Sequence, residues 1–387
     1  MLRFYDDLII LGQKLRPRTY LKNLRIIELN ESIIHQGDNV CIFIIYERGR
    51  IPDMTWNAIK SIQEIGIKIF IVINSKLEDE EKIKVREIAD FSMFRNNTGK
   101  DIGGYKDAYL YLHDKGFLKL INKLIFANDS VVYPQKFIKE LFNKLVTNKS
   151  AMTGYSHVQE IHYHIQSFLF ACDNTLINDK LFIKFWMKYL PIDRRRYMIH
   201  KGEVGITKAT LKTGKSIDVL NDISEVLNQE KSIEKIYIYI KNLPTKSSYH
   251  IGIHDEIKDL VDEYYRLYSE MIKDVKNSDG QELSKIIFND TADYRKLKLE
   301  QFTYNFVNLI SFRNNASWNT FNFMELNLPV VIKRDSVYRA GYNYDHFYSY
   351  LKKYLNEESS EIMSMIKKPS ASHFKGLKKL MFDNGII

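Results

Sequence analysis

The sequence predicts an α/β fold built on a parallel sheet, and three observations carry this prediction. Continuous apolar runs of strand length, such as residues 40–46 and 67–73, alternate with amphipathic stretches of helix length. The runs lack polar alternation, as expected for strands that are buried on both faces. Several of them end abruptly in small polar residues, as at Asn128-Asp129-Ser130. This β-α-β-α-β order predicts parallel strands joined by right-handed crossovers.

The individual elements follow from the same patterns. We expect strands at residues 40–46, 67–73, 91–94, 124–127, 151–156, 162–171, 216–220 and 328–335. We expect helices at residues 54–65, 79–89, 105–112, 181–189, between Pro134 and Asn148, and from Gly202 onward. The chain then divides into a basic amphipathic segment (1–36), the α/β domain (37–230) and a mostly helical C-terminal region (231–387).

Composition narrows the class of protein. The 387 residues carry a formal net charge of +9, which suits phosphorylated substrates, an anionic membrane face or nucleic acid. The sequence contains no nucleic-acid-binding motif, so we expect no nucleic-acid partner. Cys41 and Cys172 lie in apolar runs and are predicted to be buried free thiols in a reducing compartment. With no signal-peptide or membrane-spanning pattern, we expect a cytoplasmic protein, with the 1–36 segment either packed on the domain or touching a membrane surface.

A glycine-rich stretch organises the chain. Residues 95–108 begin with polar turn formers, contain three glycines and run into a helical pattern, and the next strand ends at Asp129. Ligands of α/β proteins bind at the carboxyl ends of strands. Backbone N–H groups at a helix start favour phosphate, and a strand-end aspartate can hold a metal that neutralises it. The stretch therefore predicts a nucleotide-diphosphate site. It matches neither a dinucleotide-binding nor a Walker-type glycine motif.

Four blocks of sequence, in order, resemble the rhamnan synthesis F family of bacterial glycosyltransferases. They are residues 97–106, 128–131, 164–168 and 203–207, and the resemblance extends over about residues 38–335. That family takes part in the assembly of cell-wall, capsule and O-antigen polysaccharides. The resemblance implies a GT-A-like nucleotide-sugar-binding sheet and inverting transfer of L-rhamnose from dTDP-L-rhamnose. It also implies a glycan or lipid-linked glycan acceptor and a position at the inner face of the plasma membrane.

The resemblance implies a role for each candidate site residue. Donor or nucleotide contacts are expected from Asn97, Gly99, Lys100, Asp101, Gly103, Gly104, Lys106, Asn128, Asp129, Ser130 and Lys333. Acceptor contacts are expected from His164, Gln166 and Ser167, and the catalytic base is expected to be Glu203. Segment 328–335 would return to this site. Asp129 would hold Mg²⁺ or Mn²⁺, but Asn128-Asp129-Ser130 replaces the usual Asp-x-Asp, so metal dependence stays open. Lys100 and Lys106, or the arginines, could supply part of the cation's charge.

Several alternatives remain open at this stage. Asp101 could bind the nucleotide or cap the following helix. Glu203 could be the base or a glutamate stabilised by a helix N-terminus. His164 and Gln166, expected on one face of a strand, could bind sugar hydroxyls or be structural. His157, His162 and His164 match no zinc-binding pattern. The protein could instead use another nucleotide sugar, or be a non-catalytic glycan-binding or assembly subunit.

Overall fold

The computed structural model describes residues 2–15, 33–159, 162–222, 266, 316–339, 342 and 344–366. Of the C-terminal region predicted at 231–387, residues 231–265, 267–315, 340–341, 343 and 367–387 lie outside the described residues, as do residues 16–32. No helix among the described residues is long and apolar enough to cross a membrane.

The described strands are β1 (Asn39–Ile45), β2 (Ile67–Ile73), β3 (Phe91–Phe94), β4 (Lys123–Asn128), β5 (Val131–Val132), β6 (Met152–Gly154), β7 (His157–Val158), β8 (His164–Ile165), β9 (Leu169–Asp173), β10 (Ile217–Val219) and β11 (Ile332–Lys333). The described α-helices are α1 (Leu2–Leu15), α2 (Asp53–Glu64), α3 (Asp79–Ile88), α4 (Lys100–Asp114), α5 (Gln135–Thr147), α6 (Asn174–Ile177), α7 (Lys180–Lys188), α8 (Arg195–Tyr197), α9 (Val204–Lys212), α10 (Ala316–Glu325), α11 (Ser336–Arg339), α12 (Tyr344–Leu355) and α13 (Ser359–Met365). A π-helix, Met198–Glu203, joins α8 to α9.

Seven of these strands form the central sheet, in the order β10-β6-β9-β4-β1-β2-β3. Strand β1 pairs in parallel with β2 and β4, and β2 pairs in parallel with β3. Strand β9 runs antiparallel to both of its neighbours, β4 and β6. The predicted α/β class, with a sheet flanked by helices, is confirmed. The parallel pairing predicted from the first β-α-β-α-β alternation is confirmed for β1, β2 and β3, whereas β9 adds an antiparallel strand to the same sheet.

The two faces of strand β1 pack into two different hydrophobic cores, which explains why its sequence is continuously apolar. Val40 and Ile42 pack into the core that contains residues of α4. Cys41 and Phe43 pack into the other core, with residues of α2 and α5. Both cysteines are buried free thiols, as predicted.

The start of α4 lies earlier than predicted. The helix begins at Lys100, so Gly103 and Gly104 are in its first turns and not in a loop. The close approach of other residues explains these glycines. A Cβ at Gly103 would lie 2.3 Å from the Thr98 carbonyl oxygen, and one at Gly104 would lie 2.8 Å from Ile44 Cδ1. Asp101 is inside the helix, and the capping role considered for it is wrong, since Gly99 is the N-cap.

This packing predicts the effect of Gly103→Ala. The added methyl group would push the backbone of Thr98, so we expect a loss of about 1–3 kcal/mol in the free energy of unfolding. Gly12→Ala in α1 is the matched control, because a Cβ there meets nothing within 4 Å. Its higher helix propensity should leave stability unchanged or raise it by up to about 1 kcal/mol. Urea unfolding of both variants measures the difference, and equal stabilities would contradict the packing explanation.

Two other predicted strands are shorter than expected. Residues 162–171 divide into β8 and β9, with residues 166–168 between them outside any strand. Of residues 328–335, only Ile332 and Lys333 form a strand. That strand, β11, pairs antiparallel with β5, with Lys333 opposite Val131. The pairing brings the described part of the C-terminal region against the residues that follow Asn128-Asp129-Ser130.

Candidate functional site

The polar residues after β1 and β4 meet at one edge of the sheet. Asp129 follows β4 directly, and its backbone N–H donates to the Ile44 carbonyl of β1 at 3.0 Å. Its carboxylate Oδ2 accepts a hydrogen bond of 2.7 Å from the backbone N–H of Tyr46. Among the described residues, no hydrogen bond reaches the other oxygen, Oδ1. One carboxylate oxygen therefore fixes the side chain and the other is available to a ligand.

Asp129 is also an unusual carboxyl group electrostatically. Burial raises its pKa to about 7, and the negative charges of Asp101 and Glu47 act in the same direction. The Tyr46 N–H and the positive charge of Arg334 oppose the rise in pKa only in part. Near neutral pH the carboxyl group is thus partly protonated, and a bound cation would favour its charged form.

Asn128 connects Asp129 to the neighbouring helix. Its Nδ2 donates to Asp101 Oδ2 at 3.4 Å and to the Tyr105 hydroxyl at 3.1 Å. Its Oδ1 accepts from the backbone N–H of Ser130 at 3.0 Å and from the Ser130 hydroxyl. We call Asp101, Asn128, Asp129 and Ser130 the strand-end cluster. The structure brings these four predicted residues together.

Two sets of contacts fix the turn before α4, one at Gly99 and one at Thr98. Gly99 has a φ of 73° and contacts Pro191 so closely that a Cβ would lie 2.3 Å from Pro191 Cβ, and its N–H donates to Asp193. The buried Arg95 guanidinium donates to the Thr98 carbonyl at 2.6 Å and to Asp107 at 2.8 Å. Burial raises the pKa of Asp107, and the Arg95 charge opposes that rise.

Asn97, Lys100 and Lys106, all predicted to contact the donor, differ in how far their side chains are buried. Asn97 is half-buried, and its carbonyl accepts from the Lys100 N–H at 3.0 Å. Lys100 has an exposed side chain and directly precedes Asp101 in the sequence. Lys106 is only 4% exposed, and its Nζ donates to the carbonyls of Tyr189 and Met187 at the end of α7. In this structure the Lys106 amine is bonded to backbone carbonyls, and its contact with a donor stays a prediction.

Glu203 lies beside this edge in a second group of predicted residues. Its Oε1 accepts from the Ser167 N–H at 3.2 Å and from the Ser167 hydroxyl at 2.7 Å. Its Oε2 lies 3.7 Å from His164 Nε2. We call His164, Ser167 and Glu203 the Glu203 cluster. The helix-start explanation for Glu203 is wrong, because the residue is the last of a π-helix that runs on into α9. Such π-helical turns are frequent at functional sites.

His164 and Gln166 were expected on one face of a continuous strand, which the structure contradicts. His164 lies in β8, and its Nδ1 is 2.7 Å from the His162 carbonyl, which can only accept, so Nδ1 carries a hydrogen. Gln166 lies outside the strand, and its side-chain oxygen accepts from the Ser156 hydroxyl at 2.7 Å. Gln166 therefore joins two backbone segments, whereas His164 lies against Glu203.

The C-terminal region brings two positive charges to the edge. Lys333 Nζ lies 4.7 Å from the centre of the Phe168 ring. Arg334 donates from its backbone to the Ser130 carbonyl at 3.0 Å and from its guanidinium to the Asp129 carbonyl at 3.2 Å. The guanidinium also forms an ion pair with Glu47. Arg334 thus contacts the backbone of the strand-end cluster with its charge paired to Glu47, and the Lys333 ammonium lies over the Phe168 ring.

Sequence patterns assigned no individual role to two residues of this site. Arg95 and Tyr105 make contacts that no local pattern encodes. A signal existed for Tyr105, which lies one helical turn after Asp101 and on the same side of α4. Among the described residues, no group of three or more His, Cys, Asp or Glu side chains is arranged to hold a metal ion.

The protein is an α/β protein with a candidate ligand site at one edge of its sheet. The site contains the Asp129 carboxylate at the end of β4 and the Glu203 carboxylate, which Ser167 holds. The sequence model of the rhamnan synthesis protein F family matches residues 69–248. The resemblance to that family, indicated by the four blocks, is confirmed over these residues. A curated relative, the uncharacterized protein y4gN of Sinorhizobium fredii, is 24% identical over 218 residues. That stretch is 55% of this chain, and it spans about half, 55%, of the relative.

Similar solved structures include two that are named as transferases. One is a putative nucleotide-diphospho-sugar transferase from Desulfovibrio desulfuricans G20, with 12% identity and a TM-score of 0.30. The match covers 60% of this chain and 98% of that one. The other is the mannosyltransferase Ktr4p from S. cerevisiae, with 10% identity and a TM-score of 0.24. The match covers 47% of this chain and 69% of that one.

Proposed function

We propose that this protein is a glycosyltransferase that moves a sugar from a nucleotide-diphosphate donor onto a growing bacterial surface glycan. The observation that carries the proposal is a chain of hydrogen bonds between the strand-end cluster and the Glu203 cluster. It runs from Asp101 through Asn128 and Tyr105 to the Ser167 carbonyl, and from the Ser167 hydroxyl to Glu203. A transferase needs a donor site and a base fixed relative to each other, and this path supports such an arrangement. The family match over residues 69–248 supports the same class of activity.

The strand-end cluster would bind the donor diphosphate. Asp129 Oδ1 and the Asp101 carboxylate are oxygen ligands of the kind that Mg²⁺ or Mn²⁺ prefers. Asn128 Oδ1 is already bonded to Ser130, so phosphate oxygens and water would complete the coordination. The cation would neutralise charge on the diphosphate leaving group. Lys333 and Lys100 would add positive charge, and Gly99 with Asn97 would shape the turn beside the nucleotide.

Glu203 would act as the base for the acceptor. The acceptor hydroxyl oxygen would attack the anomeric carbon while the bond from that carbon to the diphosphate oxygen breaks. The hydroxyl proton would pass to the Glu203 carboxylate, and the nucleoside diphosphate would leave as an anion. Ser167 holds one carboxylate oxygen of Glu203, and the other faces His164. A base on the face opposite the leaving group gives inversion at the anomeric carbon.

The finer assignment extends the family resemblance. We propose dTDP-L-rhamnose as donor and a glycan, free or lipid-linked, as acceptor, at the inner face of the plasma membrane. The basic balance of the chain, +9, suits anionic donors and an anionic membrane surface.

Calorimetric binding of a panel of nucleotides and nucleotide sugars, with and without Mn²⁺, tests this proposal. We expect selective binding of dTDP and a dTDP sugar that is weakened at least about tenfold in Asp129→Ala, since that variant loses an oxygen ligand of the cation. Binding that is equal with and without Mn²⁺ would retain the transferase and remove the metal role of Asp129. If the folded protein bound no nucleotide at all, the proposal would fail and a glycan-binding subunit would be favoured.

A further inference from the structure

The hydroxyl of Tyr105 lies between the strand-end cluster and the Glu203 cluster. It accepts a hydrogen bond from Asn128 Nδ2 at 3.1 Å and donates one to the Ser167 carbonyl at 3.0 Å. The side chain is 0% exposed, so water does not compete for either bond. Ser167 in turn donates from its N–H and its hydroxyl to Glu203. One buried hydroxyl therefore joins the end of β4 to the residue that holds the Glu203 carboxylate.

The ring of Tyr105 is fixed independently of this hydroxyl. It packs edge-on against Phe126, with ring centres 5.2 Å apart, and against Phe170 at 6.1 Å. Burial raises the pKa of Tyr105 well above its ordinary value, and the Asp101 charge adds to the rise. The hydroxyl consequently keeps its proton near neutral pH and donates it to the Ser167 carbonyl. Removing only the hydroxyl oxygen of Tyr105 should leave the ring packing intact and break the hydrogen-bond link between the strand-end cluster and the Glu203 cluster.

We propose that Tyr105 is a positioning residue whose hydroxyl fixes the Ser167 peptide, and through it Glu203, relative to Asn128 at the donor edge. This inference rests on the proposed transferase function. Without the hydroxyl, the Ser167 carbonyl loses its partner in a region that is not part of a regular strand. The Ser167 N–H and hydroxyl would then no longer hold Glu203 at a fixed distance from the anomeric carbon. Small displacements of a catalytic group can reduce rates by about 10²-fold.

Tyr105→Phe and Tyr109→Phe form a matched pair for the test. Tyr109 lies one turn later in α4, is 0% exposed, and donates its hydroxyl to the backbone carbonyl of Ile177, away from both clusters. The assay is release of dTDP from dTDP-L-rhamnose with water as acceptor. For Tyr105→Phe we expect kcat to fall about tenfold or more, with KM for the donor within about twofold. Tyr109→Phe should leave both constants within about twofold, while both variants lose similar thermal stability.

Hydrogen exchange supplies a readout that needs no turnover. The Ser167 N–H donates to Glu203, so its exchange reports whether this contact is held. We expect faster exchange at Ser167 and Phe168 in Tyr105→Phe and wild-type exchange there in Tyr109→Phe. Equal kcat in the two variants, or unchanged exchange in Tyr105→Phe, would overturn the inference. If wild-type protein neither bound nucleotides nor released dTDP, the transferase proposal would fail, and the exchange result alone would decide whether Tyr105 holds Ser167.

Discussion

Asp129→Asn is expected to abolish activity and stabilise the protein at the same time. The wild-type carboxyl has a pKa raised by burial to about 7, from an ordinary value of 3.8. Holding it in the charged form in the folded protein therefore costs about 4 kcal/mol above neutral pH. Asparagine keeps an oxygen that can accept from the Tyr46 N–H but carries no charge. Donor turnover should fall at least about 10²-fold, because a neutral amide gives the cation no charge compensation.

The gain in stability should depend on pH in a defined direction. Between about pH 4 and pH 7 the folded state holds a proton on Asp129 that the unfolded state has released, so wild-type stability falls as pH rises through this window. The advantage of Asp129→Asn over wild type should thus widen by about 2 kcal/mol from about pH 5.5 to about pH 8.5. Urea unfolding at the two pH values measures it.

Asp79→Asn is the control for this experiment. Asp79 is exposed at the start of α3, and the hydrogen bond and charge of Lys82 lower its pKa. Its replacement should give no stabilisation at either pH. A pH-independent difference between Asp129→Asn and wild type would show that Asp129 is not held in a costly charged state.

Local patterns predicted the strands well because burial of both faces leaves a continuous apolar run. Strand β2, Ile67–Ile73, lies where it was expected. Strand direction is not encoded locally, and β9 runs antiparallel after the β7–β8 hairpin. The start of α4 was missed because glycines disfavour helices, whereas at Gly103 the Thr98 carbonyl lies so close that a side chain would collide with it.

The sequence predicted which residues form the candidate site but not the contacts that link them. Motif blocks pointed to Asp101, Asn128, Asp129 and Glu203, and the structure brings the first three together at one edge. The link to Glu203 depends on Tyr105 and Ser167, which are 62 residues apart in the chain. Lys106 lies in the glycine-rich stretch that predicted a phosphate site, yet it is buried and donates to backbone carbonyls at the end of α7. Only tertiary structure separates a lysine that faces a ligand from one that holds two helices together.

Glu203→Gln should remove catalysis while leaving the donor site intact. Glutamine has nearly the same shape, and its oxygen can accept the two hydrogen bonds that Ser167 donates to Oε1. It cannot take a proton from an acceptor, so kcat should fall about 10³-fold, within the range expected for loss of a general base. The Kd of dTDP should stay within about twofold, because the described contacts of the Glu203 side chain are with Ser167 and His164 rather than the strand-end cluster.

Two further variants and the product decide whether Glu203 is the base. Ser167→Ala removes only one of the hydrogen bonds to Oε1, and we expect a smaller loss in kcat, about tenfold. Glu203→Asp keeps a base but withdraws it from the acceptor, so its kcat should lie between those of wild type and Glu203→Gln. NMR of the first-formed product should show the anomeric configuration opposite to that of the donor. Retention of configuration, or near-wild-type turnover in Glu203→Gln, would mean that Glu203 only orders Ser167 and that another group accepts the proton.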